Sequence, residues 1–157
     1  MDAIVLLKKD HATFRSLLTR LGRTTERARV TRRDLFGRLK TELTVHETIE
    51  EEIFYRALKE HPRAKDIVLE GIEEHNVVDA ILGELTDLDP THETWGAKAE
   101  VMRENVEHHL GEEEADMFVK ARRIFDPSEL EVLGKRMAAR RITARAGVRA
   151  IAARRKR

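Results

Sequence analysis

The sequence of 157 residues contains no cysteine, only three prolines and only 4% aromatic residues. The absence of cysteine excludes disulfides, thiolate metal sites and a cysteine nucleophile, so any metal must be bound by histidine and carboxylate side chains. The small number of aromatic residues, together with 38% charged residues, argues against a β-sheet and favours an all-α protein with charged, solvated helix faces. A chain of this length is long enough to form one domain around a single core.

Long apolar stretches are also missing. No run approaches the roughly eighteen consecutive apolar residues of a transmembrane helix, so we expect no membrane partner. The first ten residues contain an acid, Asp2, and too short an apolar run for a signal peptide. We therefore expect a cytoplasmic protein.

Acidic residues are absent from the C-terminal end. Residues 1–134 contain 20 basic and 29 acidic side chains, whereas residues 135–157 contain 10 basic side chains and no acidic one. Such a tail could bind nucleic acid, a membrane surface or the acidic body of another copy. Because it has no aromatic residue for base stacking, a nucleic-acid partner is not expected, and solubilisation or an intramolecular contact is the preferred interpretation. The oligomeric state stays open.

Hydrophobic periodicity predicts five helices. The predicted helices cover residues 3–27, about 31–61, about 62–90, about 91–124 and about 126–142. Thr31 is the expected N-cap of the second helix, Pro62 ends it, and Asp126 followed by Pro127 starts the fifth. Residues 1–124 should form a four-helix bundle and residues 125–142 an additional C-terminal helix. Residues 143–157, rich in Ala and Arg, form either a frayed helix or a disordered tail.

Polar residues interrupt the apolar stripes of the four bundle helices in a repeated order. The first and third stripes each contain one histidine, and the second and fourth each contain His-x-x-x-Glu, which places both side chains on one helix face. Four antiparallel helices would bring these residues together in the core, and the candidate ligands are His11, His46, Glu50, His75, His109 and Glu113. Six ligands from four helices suit two metal ions.

The energetic cost of burying the two glutamates supports a metal site. A carboxylate in an apolar interior costs roughly several kcal/mol unless it is paired or bound to a cation. Imidazole and carboxylate together suit iron, manganese or zinc. Since carboxylates can bridge two ions, iron is the first choice.

The blocks around these residues, such as His46-Glu47-Thr48-Ile49-Glu50 and His109-Leu110-Gly111-Glu112-Glu113, resemble the hemerythrin-like family over about residues 3–120. The resemblance implies an up-down-up-down four-helix bundle with two non-haem iron ions per chain, bridged by carboxylates and an oxo or hydroxo group. It implies that the same six residues are the iron ligands. The oxygen-carrying members have a further histidine where this chain has Asp79. This departure disfavours a dedicated oxygen carrier and favours turnover.

Several neighbours of the six residues have open roles. Glu47 is either an additional ligand or a solvated side chain, and Asp79 is a ligand, an outer acceptor or a surface acid. His108 is expected to be exposed, and Tyr55 should point away from His46 and serve in packing. The remaining flanking acids should form a solvated rim, and they are Glu51, Glu52, Glu112 and Glu114.

The leading functional hypothesis is a di-iron protein that binds, and turns over, a small redox ligand: hydrogen peroxide, nitric oxide or oxygen. A catalase-like or reducing activity in oxidative or nitrosative stress defence is the first choice within that class, with an unidentified electron donor for any reduction. The alternative is a non-catalytic oxygen or iron sensor or carrier whose metal occupancy controls the C-terminal region. A metal-free interaction bundle would need other partners for both buried glutamates.

Overall fold

The computed structural model describes residues 1–154, and in this part of the chain all regular structure is helical. Helix α1 is Ala3–Gly22. Helix α2 comprises Arg29–Ile49, a π-helical turn at Glu50–Tyr55 and a last α-helical turn at Arg56–Lys59. Helix α3 is Lys65–Asp87. Helix α4 comprises Trp95–Glu112, a π-helical turn at Glu113–Met117 and Phe118–Ile124, and helix α5 is Pro127–Arg154.

The helix ends follow from local side chains. The Asp2 carboxylate accepts a hydrogen bond from the backbone N–H of Val5 at 2.8 Å and caps α1. At α5, the Asp126 carboxylate accepts from the N–H of Ser128 and of Glu129, and the Glu129 carboxylate accepts from the N–H of Asp126 at 2.8 Å. This is a reciprocal capping box, and it lies at the helix start that the sequence predicts at Asp126 and Pro127.

Two predicted boundaries between α1 and α2 are wrong. Helix α1 ends at Gly22, five residues before the predicted end at 27, because the Thr24 hydroxyl bonds back to the Leu21 carbonyl at 2.6 Å and the chain turns there. Helix α2 begins at Arg29 with Ala28 as its N-cap, so Thr31 lies inside the helix. The buried guanidinium of Arg32 holds this corner by donating to the Pro90 carbonyl at 2.8 Å.

The bundle core consists of two apolar clusters separated by a polar layer. One cluster includes Leu7 of α1, Phe54 of α2 and Val68 of α3, and the other includes Phe14 of α1 and Leu39 of α2. Along each helix the chain passes from one cluster to the other, in opposite directions in successive helices. The four bundle helices therefore run up, down, up and down, and the predicted all-α bundle with an additional C-terminal helix is confirmed.

Helix α5 lies against α1 and α2, with Leu130, Leu133 and Met137 buried in the first cluster. Its basic residues form ion pairs with the body of the protein: Arg140 with Glu52, Arg141 with Asp10 and Arg145 with Glu42. The helix continues to Arg154, so the expected end near residue 142 is wrong, and residues 155–157 lie outside the described part. No helix in residues 1–154 is long and apolar enough to cross a membrane.

Gly134 provides a test of how α5 is packed. A Cβ atom at this position would lie 2.3 Å from the carbonyl oxygen of Met1 and 2.9 Å from the backbone nitrogen of Ala3, which are backbone atoms that a rotamer change does not move. We expect Gly134→Ala to lower the free energy of unfolding in urea by about 1–3 kcal/mol. Gly147→Ala is the matched control in the same helix, since nothing lies within 4 Å of its Cβ, and it should be neutral or stabilising by up to about 1 kcal/mol. Equal stability of the two variants would contradict the close packing of α5 on the N-terminus.

Candidate metal centre

The six residues predicted as ligands meet in the polar layer between the two apolar clusters. None of them is more than 4% exposed, and Glu50 is completely buried. They form two groups, each with ligand atoms within 4.8 Å of one another: one contains His11, His46 and Glu113, and the other contains Glu50, His75 and His109. Each group therefore takes residues from both halves of the sequence.

Each glutamate lies between a histidine of one group and a histidine of the other. The Oε2 atom of Glu50 is 3.3 Å from Nε2 of His46 and 3.4 Å from Nε2 of His75. The Oε2 atom of Glu113 is 3.2 Å from Nε2 of His11 and 3.6 Å from Nε2 of His109. A carboxylate in this position can bridge two cations.

Several polar atoms that point into the layer have no hydrogen-bond partner in the protein. These buried atoms are Nε2 of His11, Nε2 of His46, both carboxylate oxygens of Glu50 and Oε2 of Glu113. Leaving a buried polar atom unsatisfied costs about 1–3 kcal/mol, and more for a charged group. Converging lone pairs of imidazole and carboxylate are the donor set that a divalent transition-metal ion requires, so these residues fit a two-cation site.

The outer nitrogen of every candidate histidine is held by a carboxylate. Nδ1 of His11 donates to Glu114 at 2.7 Å, and Nδ1 of His46 donates to Asp10 at 3.1 Å. Nδ1 of His75 donates to Glu51 at 2.7 Å, and Nδ1 of His109 donates to Glu74 at 2.6 Å. An ionised carboxylate only accepts, so each ring carries a proton on Nδ1, and its Nε2 faces inward, where a neutral ring can offer the lone pair to a cation. Nε2 of His75 and Nε2 of His109 lie 3.0 Å apart and share a hydrogen bond. Such outer carboxylates orient metal-binding imidazoles and increase their basicity.

The outer carboxylates correct one prediction and show what the sequence reasoning missed. Glu51 and Glu114 were expected in a solvated rim; Glu51 is exposed, as expected, and Glu114 is half-buried, but both are also hydrogen-bonded to candidate histidines. Asp10 and Glu74 had no predicted role. A signal is present in the sequence, because each of the four acids is adjacent to a candidate ligand in the chain. Of the rim residues, Glu52 is exposed and pairs with Arg140.

The electrostatics of the layer show how much it depends on a balancing positive charge. Burial opposes protonation of His46 and His75, but the neighbouring carboxylates raise the pKa of His46 to about 10 and that of His75 to about 11. Although burial works against ionisation of Glu50, His46 and His75 hold its pKa well below the usual range. Without a metal, protons on the imidazoles must therefore neutralise the buried carboxylate.

The two π-helical turns begin at the two candidate glutamates, Glu50 and Glu113. A π turn contains more residues than an α turn, so it changes which side chains face the core. As a result, Tyr55 faces the polar layer, its hydroxyl donates to Oε1 of Glu113 at 2.8 Å, and its ring stacks on His75 at 5.5 Å. The ring packs in the core, as expected, but the prediction that Tyr55 points away from the layer is wrong, because it assumed an ideal α-helix.

The other uncertain residues lie in different places. Glu47 is 8% exposed, so the solvated alternative for it is wrong, but it belongs to neither ligand group. Burial raises the pKa of Glu47 to about 8. Asp79 adds to this increase, and His75 and His46 oppose it. Asp79 is exposed. His108 has a 64% exposed side chain, as expected, and its Nε2 lies 3.4 Å from Glu74 outside the layer.

Comparisons with known proteins agree with this geometry. Residues 2–121 match the family model described as the hemerythrin HHE cation-binding domain. The chain is similar to a crystal structure of a hemerythrin HHE cation-binding domain-containing protein from Mycobacterium kansasii, with a TM-score of 0.81 and 26% identity over 94% of this chain and 89% of that one. No curated protein matches the sequence.

Within the described residues, Oε1 of Glu113 accepts a hydrogen bond only from the Tyr55 hydroxyl, and this bond is buried. We expect Tyr55→Phe to lower the free energy of unfolding of the metal-free protein by about 1.5–3 kcal/mol, because a hydrogen bond to a charged group is lost while the ring stays in place. Chemical unfolding after dialysis against a chelator measures this change. Unaltered stability would contradict the contact.

Gly71 of α3 tests the position of the same hydroxyl without removing it. A Cβ at Gly71 would lie 2.7 Å from the Tyr55 hydroxyl oxygen, so Gly71→Ala should push this oxygen away from Glu113 and destabilise the protein by about 1–3 kcal/mol. Gly83→Ala, in the same helix with nothing within 4 Å, should be neutral or slightly stabilising. In the Tyr55→Phe background, the cost of Gly71→Ala should be smaller, which a double-mutant cycle measures.

Proposed function

Because this chain belongs to the hemerythrin HHE cation-binding domain family, we propose that its polar layer holds two iron ions and that the loaded protein turns over a small redox ligand in oxidative or nitrosative stress defence. The observation that carries the proposal is the set of unpartnered buried atoms around Glu50 and Glu113. In our assignment His11 and His46 would hold one ion, His75 and His109 would hold the other, and the two glutamates would be shared between them.

The donor set suits iron, manganese or zinc, and iron is our first choice among them because the carboxylates can bridge two ions. The layer offers four imidazoles and two bridging carboxylates, and the sequence has no cysteine that would select softer metals. When bound, iron supplies the one-electron changes in oxidation state that cleavage of an oxygen–oxygen bond requires. The protein contributes the fixed geometry, the exclusion of bulk water and the control of protons.

The ligand must be small, since the six side chains are at most 4% exposed. Hydrogen peroxide, nitric oxide and oxygen meet this condition. Reduction of peroxide to water also consumes protons, and Glu47 is a buried carboxyl whose pKa burial raises to about 8 in the metal-free protein. Glu47 is thus suited to hold a proton beside the layer, in the region of His46 and His75.

Turnover of peroxide needs no external electron donor if two peroxide molecules are disproportionated. One molecule is reduced to water while the other is oxidised to oxygen, and the protons released by the second balance those used by the first. This catalase-like reaction is therefore the first activity to test. A reduction of nitric oxide, in contrast, would need an electron donor.

A second candidate is a sensor or carrier whose metal occupancy controls the C-terminal helix. One contact favours it: Asp10 accepts from Nδ1 of His46 and is also paired with Arg141 of α5. Helix α5 is thus joined to a candidate ligand through a single carboxylate. Any change in the position of His46 on metal release would reach α5 directly.

Metal uptake tests the shared premise of both candidates. Purified protein loaded with ferrous ion without oxygen should retain about two irons per chain after desalting, and its melting temperature should exceed that of the metal-free protein. Glu50→Ala and Glu113→Ala should each retain about one iron or less, because each removes a ligand shared by both groups. His92→Ala, an exposed residue in the turn before α4, is the control and should retain about two. A protein that takes up no iron would overturn the proposal.

Peroxide turnover separates the two candidates. We expect the iron-loaded protein to evolve oxygen from hydrogen peroxide, and Glu113→Ala to abolish the activity while His92→Ala preserves it. An oxygen electrode measures the rate. A reversible oxygenated spectrum without turnover would favour the sensor or carrier instead.

A further inference from the structure

We propose that the two metal positions differ in affinity, and that the position formed by His75 and His109 takes up a divalent cation before the position formed by His11 and His46. The proposal rests on the two-ion site proposed above. It concerns the carboxylates that accept from the outer Nδ1 atoms and the charged side chains beside those carboxylates. These surroundings differ between the two sides, although the ligands themselves are alike.

The carboxylates behind His11 and His46 are neutralised by arginines. The Arg15 guanidinium donates to Oε1 of Glu114 at 2.9 Å, the same oxygen that accepts from Nδ1 of His11. Behind His46, the carboxylate of Asp10 accepts from Nδ1 of the imidazole. Arg141 of α5 donates to both oxygens of this carboxylate, one of them at 2.9 Å. Each imidazole of this pair is thus backed by a carboxylate that is paired with an arginine; Arg15 also lies 3.7 Å from Glu107, farther from the layer's histidines than Glu114 is along the contact chain.

The carboxylates behind His75 and His109 have no such compensation. Within the described residues, neither Glu51 nor Glu74 forms an ion pair with a lysine or arginine. The second oxygen of Glu74 faces His108, whose side chain is 64% exposed, at 3.4 Å. On this side, therefore, the outer nitrogens of both imidazoles donate to carboxylates whose negative charge no lysine or arginine offsets.

The internal repeat of the sequence explains the difference. His11 corresponds to His75, 64 residues later, and Arg15 corresponds in the same way to Asp79. The repeat thus places a cation beside one half of the layer and an acid beside the other. Arg141 adds to the imbalance, because it belongs to α5, which lies outside the repeated four-helix unit.

Two physical effects then act in the same direction. A carboxylate that accepts from Nδ1–H increases the basicity of the ring, and an arginine on that carboxylate reduces the increase. The arginines also repel a divalent ion directly, by an amount that at separations of several ångströms corresponds to about a tenfold change in affinity per charge. Both effects weaken the position of His11 and His46 relative to that of His75 and His109.

The experiment is a titration of the metal-free full-length chain with Zn²⁺, followed by long-range ¹H–¹⁵N spectra of the histidine rings. Zinc accepts the same imidazole and carboxylate ligands and is diamagnetic, so individual rings can be assigned. The first equivalent should shift the signals of His75 and His109, and the second those of His11 and His46. Simultaneous shifts of all four rings, or the reverse order, would overturn the proposal.

Variants separate the charge effect from a general effect on folding. Arg15→Gln combined with Arg141→Gln should tighten the second binding step about tenfold or more in calorimetry and leave the first step nearly unchanged. Glu51→Gln should weaken the first step about tenfold. Arg140→Gln is the matched control, because Arg140 lies beside Arg141 but pairs with the exposed Glu52, and it should alter neither step.

The outcomes also distinguish this proposal from the proposed function. If the chain binds neither zinc nor iron, the two-ion site and the order of loading both fail. If it binds two ions but the arginine variants leave the second step unchanged, only the inferred asymmetry fails. Sequential loading whose second step is tightened by the arginine variants supports both.

Discussion

The burial of two glutamates among four imidazoles is the constraint on which the rest of this structure depends. Glu50 and Glu113 lie in a layer with apolar clusters on both sides. An uncompensated carboxylate there would lower the free energy of unfolding by roughly several kcal/mol. The imidazoles can balance these charges only by holding protons, as the raised pKa values of His46 and His75 show, or by sharing metal ions with them. The bundle therefore has a built-in requirement for cations at its centre.

The outer carboxylates connect this centre to the surface. Glu51 and Glu74 are only partly buried and reach solvent directly, whereas Asp10 and Glu114 end in ion pairs with arginines. Helix α5 contributes to this arrangement through Arg141, so the C-terminal helix is more than a cover for the apolar cluster. Three of its arginines, Arg140, Arg141 and Arg145, have acidic partners within the same chain, which gives an intramolecular role to part of the positive charge in this part of the sequence.

The two halves of the bundle repeat the ligands but not their surroundings. Tyr55 and Phe118 each follow a candidate glutamate by five residues and stack on His75 and His11, but only Tyr55 has a hydroxyl that bonds to a candidate bridging glutamate. Such differences allow two chemically similar metal positions to have different affinities and potentials. The similarity to the Mycobacterium kansasii structure at 26% identity shows that the same bundle tolerates extensive change in sequence.

The sequence by itself determined the helical class, the bundle and the convergence of the six polar residues, because residues four apart on an α-helix share a face and a buried charge has few explanations. It could not place Tyr55, since that argument assumed ideal α-helical geometry and the π turns at Glu50 and Glu113 change the phase of the helix. The partners of Glu51 and Glu114 depend on contacts between helices distant in sequence, which periodicity does not contain. Helix α5 was predicted too short for a related reason: beyond Ile142 it has little apolar pattern, and Arg145 is held by an ion pair with Glu42 that only the tertiary structure brings within reach.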